Sequence, residues 1–125
     1  MSSFEKDSKI KLLTSKDFNH GKLIHPILKS GRTTVVFKTQ WCIHCQNLKP
    51  HIAEISKMSC CISNTGAIDC DESKDLVTNL NKELKNKGFE VSGFPTIVQF
   101  IDGIYTRTYN GERTPEKLLQ FFLGK

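Results

Sequence analysis

The sequence holds no apolar run approaching the roughly 18 residues that a membrane-spanning helix needs. Its opening stretch, MSSFEKDSKIKLL, has neither the apolar core nor the small-residue cleavage site of a secretory signal. The closing stretch, QFFLGK, shows no retention or lipidation signal. These absences make the cytosol the expected compartment, and no membrane partner is expected. Internal repeats, low-complexity tracts and linkers are also missing, so the 125 residues are expected to form one domain. The folded unit is expected over residues 10–125, with 1–9 as a poorly ordered N-terminal extension. No basic stripe is interleaved with aromatics. The excess of 18 Lys and Arg over 13 Asp and Glu, a net +5, therefore reads as a solvated lysine-rich surface, not a nucleic-acid footprint. Five cysteines, an odd number, argue against a secreted disulfide framework. What is present, 38% hydrophobic and 25% charged residues, suits a soluble globular monomer that needs no staples.

The pattern of elements alternates. IKLLT (10–14) reads as a first strand. Ser15 is a plausible cap for a helix running toward Ser30, with Phe18, Ile24, Ile27 and Leu28 as its apolar positions and Gly31 as its stop. TTVVFK (33–38) is β-branched and almost continuously apolar, the mark of a strand covered on both faces. A helix then starts near Cys42 and carries Leu48, Ile52, Ile55 and Met58 at helical spacing, with an expected kink at Pro50. GAIDC (66–70) is a short strand. Ser73 heads a helix with Leu76, Leu80 and Leu84 on one face and Gly88 as its stop. TIVQF (96–100) and YTRTY (105–109) form a hairpin turning at Gly103. A last helix has Thr114 as cap, Pro115 in its first turn, and Leu118, Leu119 and Phe122 facing inward. The order βαβαβαββα implies an α/β domain: a central mixed sheet with helices on both faces.

The chemistry concentrates in KTQWCIHCQNLKP, residues 38–50. Two cysteines three apart are either half of a zinc site or a redox pair. Zinc needs four ligands, and no second CxxC exists. Cys60, Cys61, Cys70, His44 and His51 could in principle supply the rest, but the adjacent Cys60 and Cys61 suit no common zinc knuckle. The redox reading has a mechanism. The pair follows a buried strand and opens a helix, where unpaired N–H groups and the positive end of the helix dipole favour a thiolate. Cys42 at the tip is the candidate nucleophile. Cys45, one turn inside, is the candidate resolving thiol. His44, as a cation, would stabilise the reduced form. Trp41 offers a flat apolar wall beside the attacking sulfur. Cys70 reads as an inert core residue, and Cys60 and Cys61 as free thiols near a helix end.

WCIHC with Pro50, then VSGFPT (91–96), FIDG (100–103) and YNGERTPEKLLQFF (109–122), resembles the thioredoxin family. It is most similar to the thioredoxin-like catalytic domains of protein disulfide isomerases. That resemblance implies a single fold with a sheet of four to five strands and a Cys42–Cys45 redox disulfide. It implies a cis Pro95 facing the cysteines, and a peptide-binding rim of Trp41, Ile43, Gly93, Phe94 and Pro95. His44 matches the isomerase-type histidine. Arg113 matches the arginine that approaches the second cysteine and lowers its pKa. No metal or organic cofactor is implied. Protein dithiols and disulfides are the expected substrates, together with a reductase or oxidase that recharges the pair.

Departures accompany the resemblance. Val36 stands where the family has a buried acid, and Ala67 where that acid has its lysine partner. Losing both together is coherent, because losing one would strand a buried charge. The stretch from Asp71 to Pro95 is several residues longer than usual. The expected function is thus a protein thiol–disulfide oxidoreductase. The alternative is a binding module that captures partners with little turnover, and a glutathione-linked activity is a weaker third reading.

Overall fold

In the computed structural model, residues 9–125 are described; the expected extension therefore lies outside them, Lys9 apart. The strands are β1 (Ile10–Leu12), β2 (Phe18–Asn19), β3 (Lys22–Leu23), β4 (Arg32–Lys38), β5 (Ser63–Asp69), β6 (Thr96–Ile101) and β7 (Ile104–Thr108). The helices are α1 (Ile43–Met58), α2 (Lys74–Glu83) and α3 (Pro115–Phe122). Five strands form one sheet in the order β1-β5-β4-β6-β7. β1, β5 and β4 run parallel, whereas β6 pairs antiparallel with both β4 and β7. The mixed α/β sheet expected from the alternation of elements is present.

Alternation along β4 explains why helices cover both faces. Val35 and Phe37 point to one side, where they join Ile68, Val98 and Phe100 against Leu76, Leu80 and Leu84. Val36 points to the other, joining Ala67 and Ile97 against Leu48, Ile52 and Ile55 of α1 and Leu118, Phe121 and Phe122 of α3. A strand buried on both faces needs a near-continuous apolar run, which TTVVF supplies. α1 runs through Pro50 from Ile43 to Met58. Met58, expected on its inner face, is exposed at the last turn.

The largest correction concerns residues 15–30. In place of a helix there is one 3-10 turn, Ser15–Asp17, capped at Thr14 and not at Ser15. The Asp17 carboxylate accepts the Thr14 amide at 2.8 Å. The ribbon β2–β3 follows, turning through His20 and Gly21. Both have positive φ, 51° and 81°, which no helix interior tolerates. Of the four apolar positions assigned to that helix only Leu28 is fully buried, while Ile24 and Ile27 are exposed. Between β6 and β7, Asp102 and Gly103 (φ 51° and 84°) make the hairpin turn. A Cβ on Gly103 would lie 2.7 Å from the Leu23 carbonyl oxygen, so glycine is required there twice over.

The end of the sheet remote from the cysteines is tied by a buried polar network. Gln99 on β6 donates to Thr34 Oγ1 at 3.1 Å and to the Phe121 carbonyl, and accepts from Arg107 Nε at 2.9 Å. Arg107 also lies 4.3 Å from the Phe121 ring centroid. The network fastens α3 to the sheet. Gln99→Leu leaves the Arg107 Nε–H without its acceptor in a partly buried place, so it should cost about 1–3 kcal/mol in denaturant unfolding.

Candidate functional site: the Cys42–Cys45 dithiol

β4 ends at Lys38, and the chain reaches α1 within four residues. Cys42 is the N-cap of α1, and its sulfur accepts the Cys45 amide at 3.2 Å. A donor at a helix start that would otherwise lack an acceptor thus points at sulfur. The Cys42 thiol in turn donates to the Phe94 carbonyl at 3.4 Å. Phe94 precedes Pro95 through a cis peptide, as expected. The segment 94–95, at the start of β6, therefore faces the dithiol across the site.

The loop between β4 and α1 is held by a residue that the sequence did not flag. Asp71 accepts the Gln40 amide and the Trp41 indole N–H, both at 3.0 Å. The Gln46 side chain, one turn into α1, donates to the Gln40 carbonyl at 2.7 Å. Trp41 thus stands upright, 71% exposed, with its ring edge-on to Phe94 at 6.0 Å. Ile43 beside it is 60% exposed. Trp41, Ile43 and Phe94 form an apolar rim around two buried sulfurs. Gly93 is exposed next to it, with open space where a Cβ would sit. His44 projects from the first turn of α1 and is exposed.

The two cysteines differ in environment. Cys45 is 3% exposed, and burial pushes its thiol up to about 12. A hydrogen bond with Cys42 and the Cys42 charge push the same way, while the Thr39 backbone amide and the Arg113 charge act against them. Arg113 is anchored by a 3.0 Å hydrogen bond from Nη2 to the Pro95 carbonyl. The Arg113 charge, expected from the resemblance to lower the pKa of the second cysteine, acts in that direction as the smallest of these influences. Beneath the dithiol, Val36 and Ala67 are register partners on β4 and β5, both buried in the cluster under α1 and α3. Two residues farther along the same strands, Lys38 and Asp69 pair at 3.8 Å, nearly buried. The sequence reading missed this ion pair. Its signal was a charge ending each of two adjacent central strands.

Two of the other cysteines lie apart from the pair. Cys60 and Cys61 are exposed just beyond the C-terminal end of α1, about 24 Å of helix from Cys42. Cys70 is buried, and burial with the Asp69 charge pushes its thiol up to about 12. Among the described residues, no group of three or more His, Cys, Asp or Glu side chains is placed to hold a metal ion.

A buried dithiol at a helix start, opposite a cis-proline and rimmed by apolar side chains, defines a thioredoxin-type domain. Comparison with known proteins agrees. The thioredoxin family model matches residues 9–123, and the chain belongs to that family. It is 30% identical over 120 residues to a thioredoxin domain-containing protein of Theileria parva, covering 96% of this chain and 50% of that one. It is 35% identical over 98 residues to protein disulfide isomerase-like 1-4 of Oryza sativa, covering 75% of this chain and 16% of that one. Among solved structures, the J-Trx1 fragment of ERdj5 superposes with a TM-score of 0.71 at 25% identity, covering 94% of this chain and half of that one. The chain spans no more than half the length of these relatives.

Because burial keeps Cys45 neutral at pH 7, its reactivity should follow a small thiolate fraction. In Cys42→Ser, alkylation of Cys45 by iodoacetamide should rise about tenfold per pH unit from pH 7 to 9. A plateau already below pH 8, read by peptide mass spectrometry, would contradict the burial argument.

Proposed function

We propose that the chain is a protein thiol–disulfide oxidoreductase that exchanges disulfides with protein substrates through Cys42 and Cys45. The observation that carries this reading is the Cys42 sulfur itself, which caps α1, accepts the Cys45 amide and meets the Phe94 carbonyl. Cys42 attacks a substrate disulfide, and Cys45 displaces the mixed disulfide so formed. The rim of Trp41, Ile43, Gly93, Phe94 and Pro95 receives an extended segment of the substrate, with main-chain groups at 94–95 available to it. His44, exposed beside the helix start, favours the reduced pair when protonated. Arg113 supports the Cys45 thiolate. A separate reductase or oxidase recharges the pair, and the domain acts as a monomer. The isomerase-like names of its relatives fit this reading.

One observation favours the second reading, a module that captures partners with little turnover. Val36 and Ala67, buried register partners, stand where the family has a buried acid and its lysine, so neither supplies a proton acceptor. Insulin reduction with dithiothreitol separates the two readings. Rapid turnover that Cys42→Ser abolishes, a loss of at least about a hundredfold, is expected of the oxidoreductase. Stoichiometric capture of insulin chains without turnover would establish the module.

A further inference from the structure

A cleft of about 460 Å3 is lined by Pro95, Ile97, Tyr109, Asn110, Gly111 and Arg113. Pro95 follows directly on Phe94, whose carbonyl meets the Cys42 thiol, so the cleft adjoins the apolar rim. Arg113 is the single charged residue of the lining, and it is exposed. Its Nη2 donates to the Pro95 carbonyl at 3.0 Å, which anchors the guanidinium to the cleft wall. Among the described residues, no carboxylate forms an ion pair with it. The adjacent Glu112 is turned to Lys117, 4.0 Å away. A guanidinium carries several N–H donors in a planar fork, and the bond to Pro95 uses one of them. The Cys42 thiol meets the Phe94 carbonyl at 3.4 Å, and Arg113 holds the carbonyl of the next residue. Sulfur and guanidinium are therefore on the order of 10 Å apart, the reach of about two to three extended residues.

Resting on the oxidoreductase reading above, we propose that Arg113 determines substrate specificity: in the cleft beside Pro95 it receives the carboxylate of an Asp or Glu that lies about two to three residues from the attacked cysteine of an extended substrate segment. The site then reads two features of a protein substrate. Trp41, Ile43 and Phe94 take apolar side chains beside the substrate cysteine, and Arg113 takes the negative charge farther along. Guanidinium and carboxylate match through parallel N–H···O bonds, which adds geometry to the charge attraction. In the step so favoured, the Cys42 thiolate forms a bond to the substrate sulfur. The substrate disulfide breaks, and its electron pair leaves on the other sulfur, which takes up a proton. Arg113 gives neither electrons nor protons; it holds the segment in place. The lysine-rich surface attracts any acidic peptide from a distance, but that attraction does not depend on where along the segment the acid stands. Dependence on position is the mark of the cleft.

The test isolates attack by using the full chain with Cys45→Ser, in which the mixed disulfide on Cys42 persists and Arg113 has no resolving thiol to act on. Short peptides carry one cysteine as its disulfide with uncharged thiopyridine, so attack at the peptide sulfur releases a coloured thione. Glu or Gln is placed in turn at successive distances from the cysteine, on either side, and the ratio of the two rates is read at each place. At low salt and pH 7, Glu at the distance that reaches Arg113 should speed attack about fivefold over Gln, and the advantage should fade near 1 M salt. Arg113→Gln should erase the peak in that ratio, and Arg113→Lys should keep part of it. Asn110→Glu, which sets a carboxylate in the cleft and leaves Arg113 in place, should erase it as well. Circular dichroism shows which variants are folded. A ratio that does not depend on position, or a peak that survives in a folded Arg113→Gln or Asn110→Glu, would overturn the proposal and assign any preference to the net positive surface. The thiopyridine disulfide of glutathione, which also bears carboxylates, forms the second arm. Arg113 dependence there, with the peptides indifferent, would overturn it in favour of a small-thiol subsite. If Cys42 forms no mixed disulfide with any of these compounds, the oxidoreductase reading falls and this proposal with it.

Discussion

The structure depends on where α1 begins. Cys42 caps that helix with its sulfur, and the amide of Cys45 is the donor it satisfies. Were the helix to start one residue earlier or later, the two cysteines would no longer share its first turn with one sulfur outside and one within. The rest of the domain fixes this start. β4 delivers the chain from the middle of the sheet, and Asp71, just beyond β5, clamps the Gln40 amide and the Trp41 indole. Leu48, Ile52 and Ile55 press the body of the helix onto Val36, Ala67 and Ile97. Burial of those apolar side chains is what orders the loop that holds the chemistry.

The same packing sets a conflict inside the site. Under the proposed exchange Cys45 must ionise, yet burial opposes its charge, and the strands under α1 carry an apolar floor at Val36 and Ala67. A carboxylate and lysine in that floor would supply a proton acceptor at the cost of desolvating two ions. Val36 and Ala67 remove both the cost and the acceptor. Charge reappears two residues farther on as Lys38–Asp69, where the strands end and solvent is nearer. The domain thus gains a drier centre, in which the Thr39 backbone and the Arg113 charge are what favour the Cys45 thiolate.

Much of this was legible in the sequence, for identifiable reasons. β4 announced itself because a doubly covered strand must be apolar throughout, and α3 because Thr114 and Pro115 mark a helix start by their own chemistry. The dithiol, Phe94, Pro95 and Arg113 were found because motif spacing survives in the chain even though the residues meet only in the fold. The stretch 15–30 was misread because its apolar residues approximate helical spacing, while His20 and Gly21 adopt positive φ that the pattern cannot reveal. Asp71 and the Lys38–Asp69 pair escaped because their roles arise between elements. A carboxylate that accepts two N–H groups from a loop 30 residues away looks, in sequence, like any surface aspartate.

We propose, as the central consequence of the proposed function, that burial of Cys45 and the absence of an acid at position 36 make release, not attack, the slow step of exchange. The direct measurement is the amount of covalent enzyme–substrate complex trapped by acid quench during steady turnover of the unmutated protein. The account predicts that such complexes accumulate to a large share of the enzyme at pH 7, and that Val36→Glu together with Ala67→Lys depletes them by speeding release. A wild-type enzyme found almost wholly as free dithiol or free disulfide, with the double substitution altering stability alone, would contradict it.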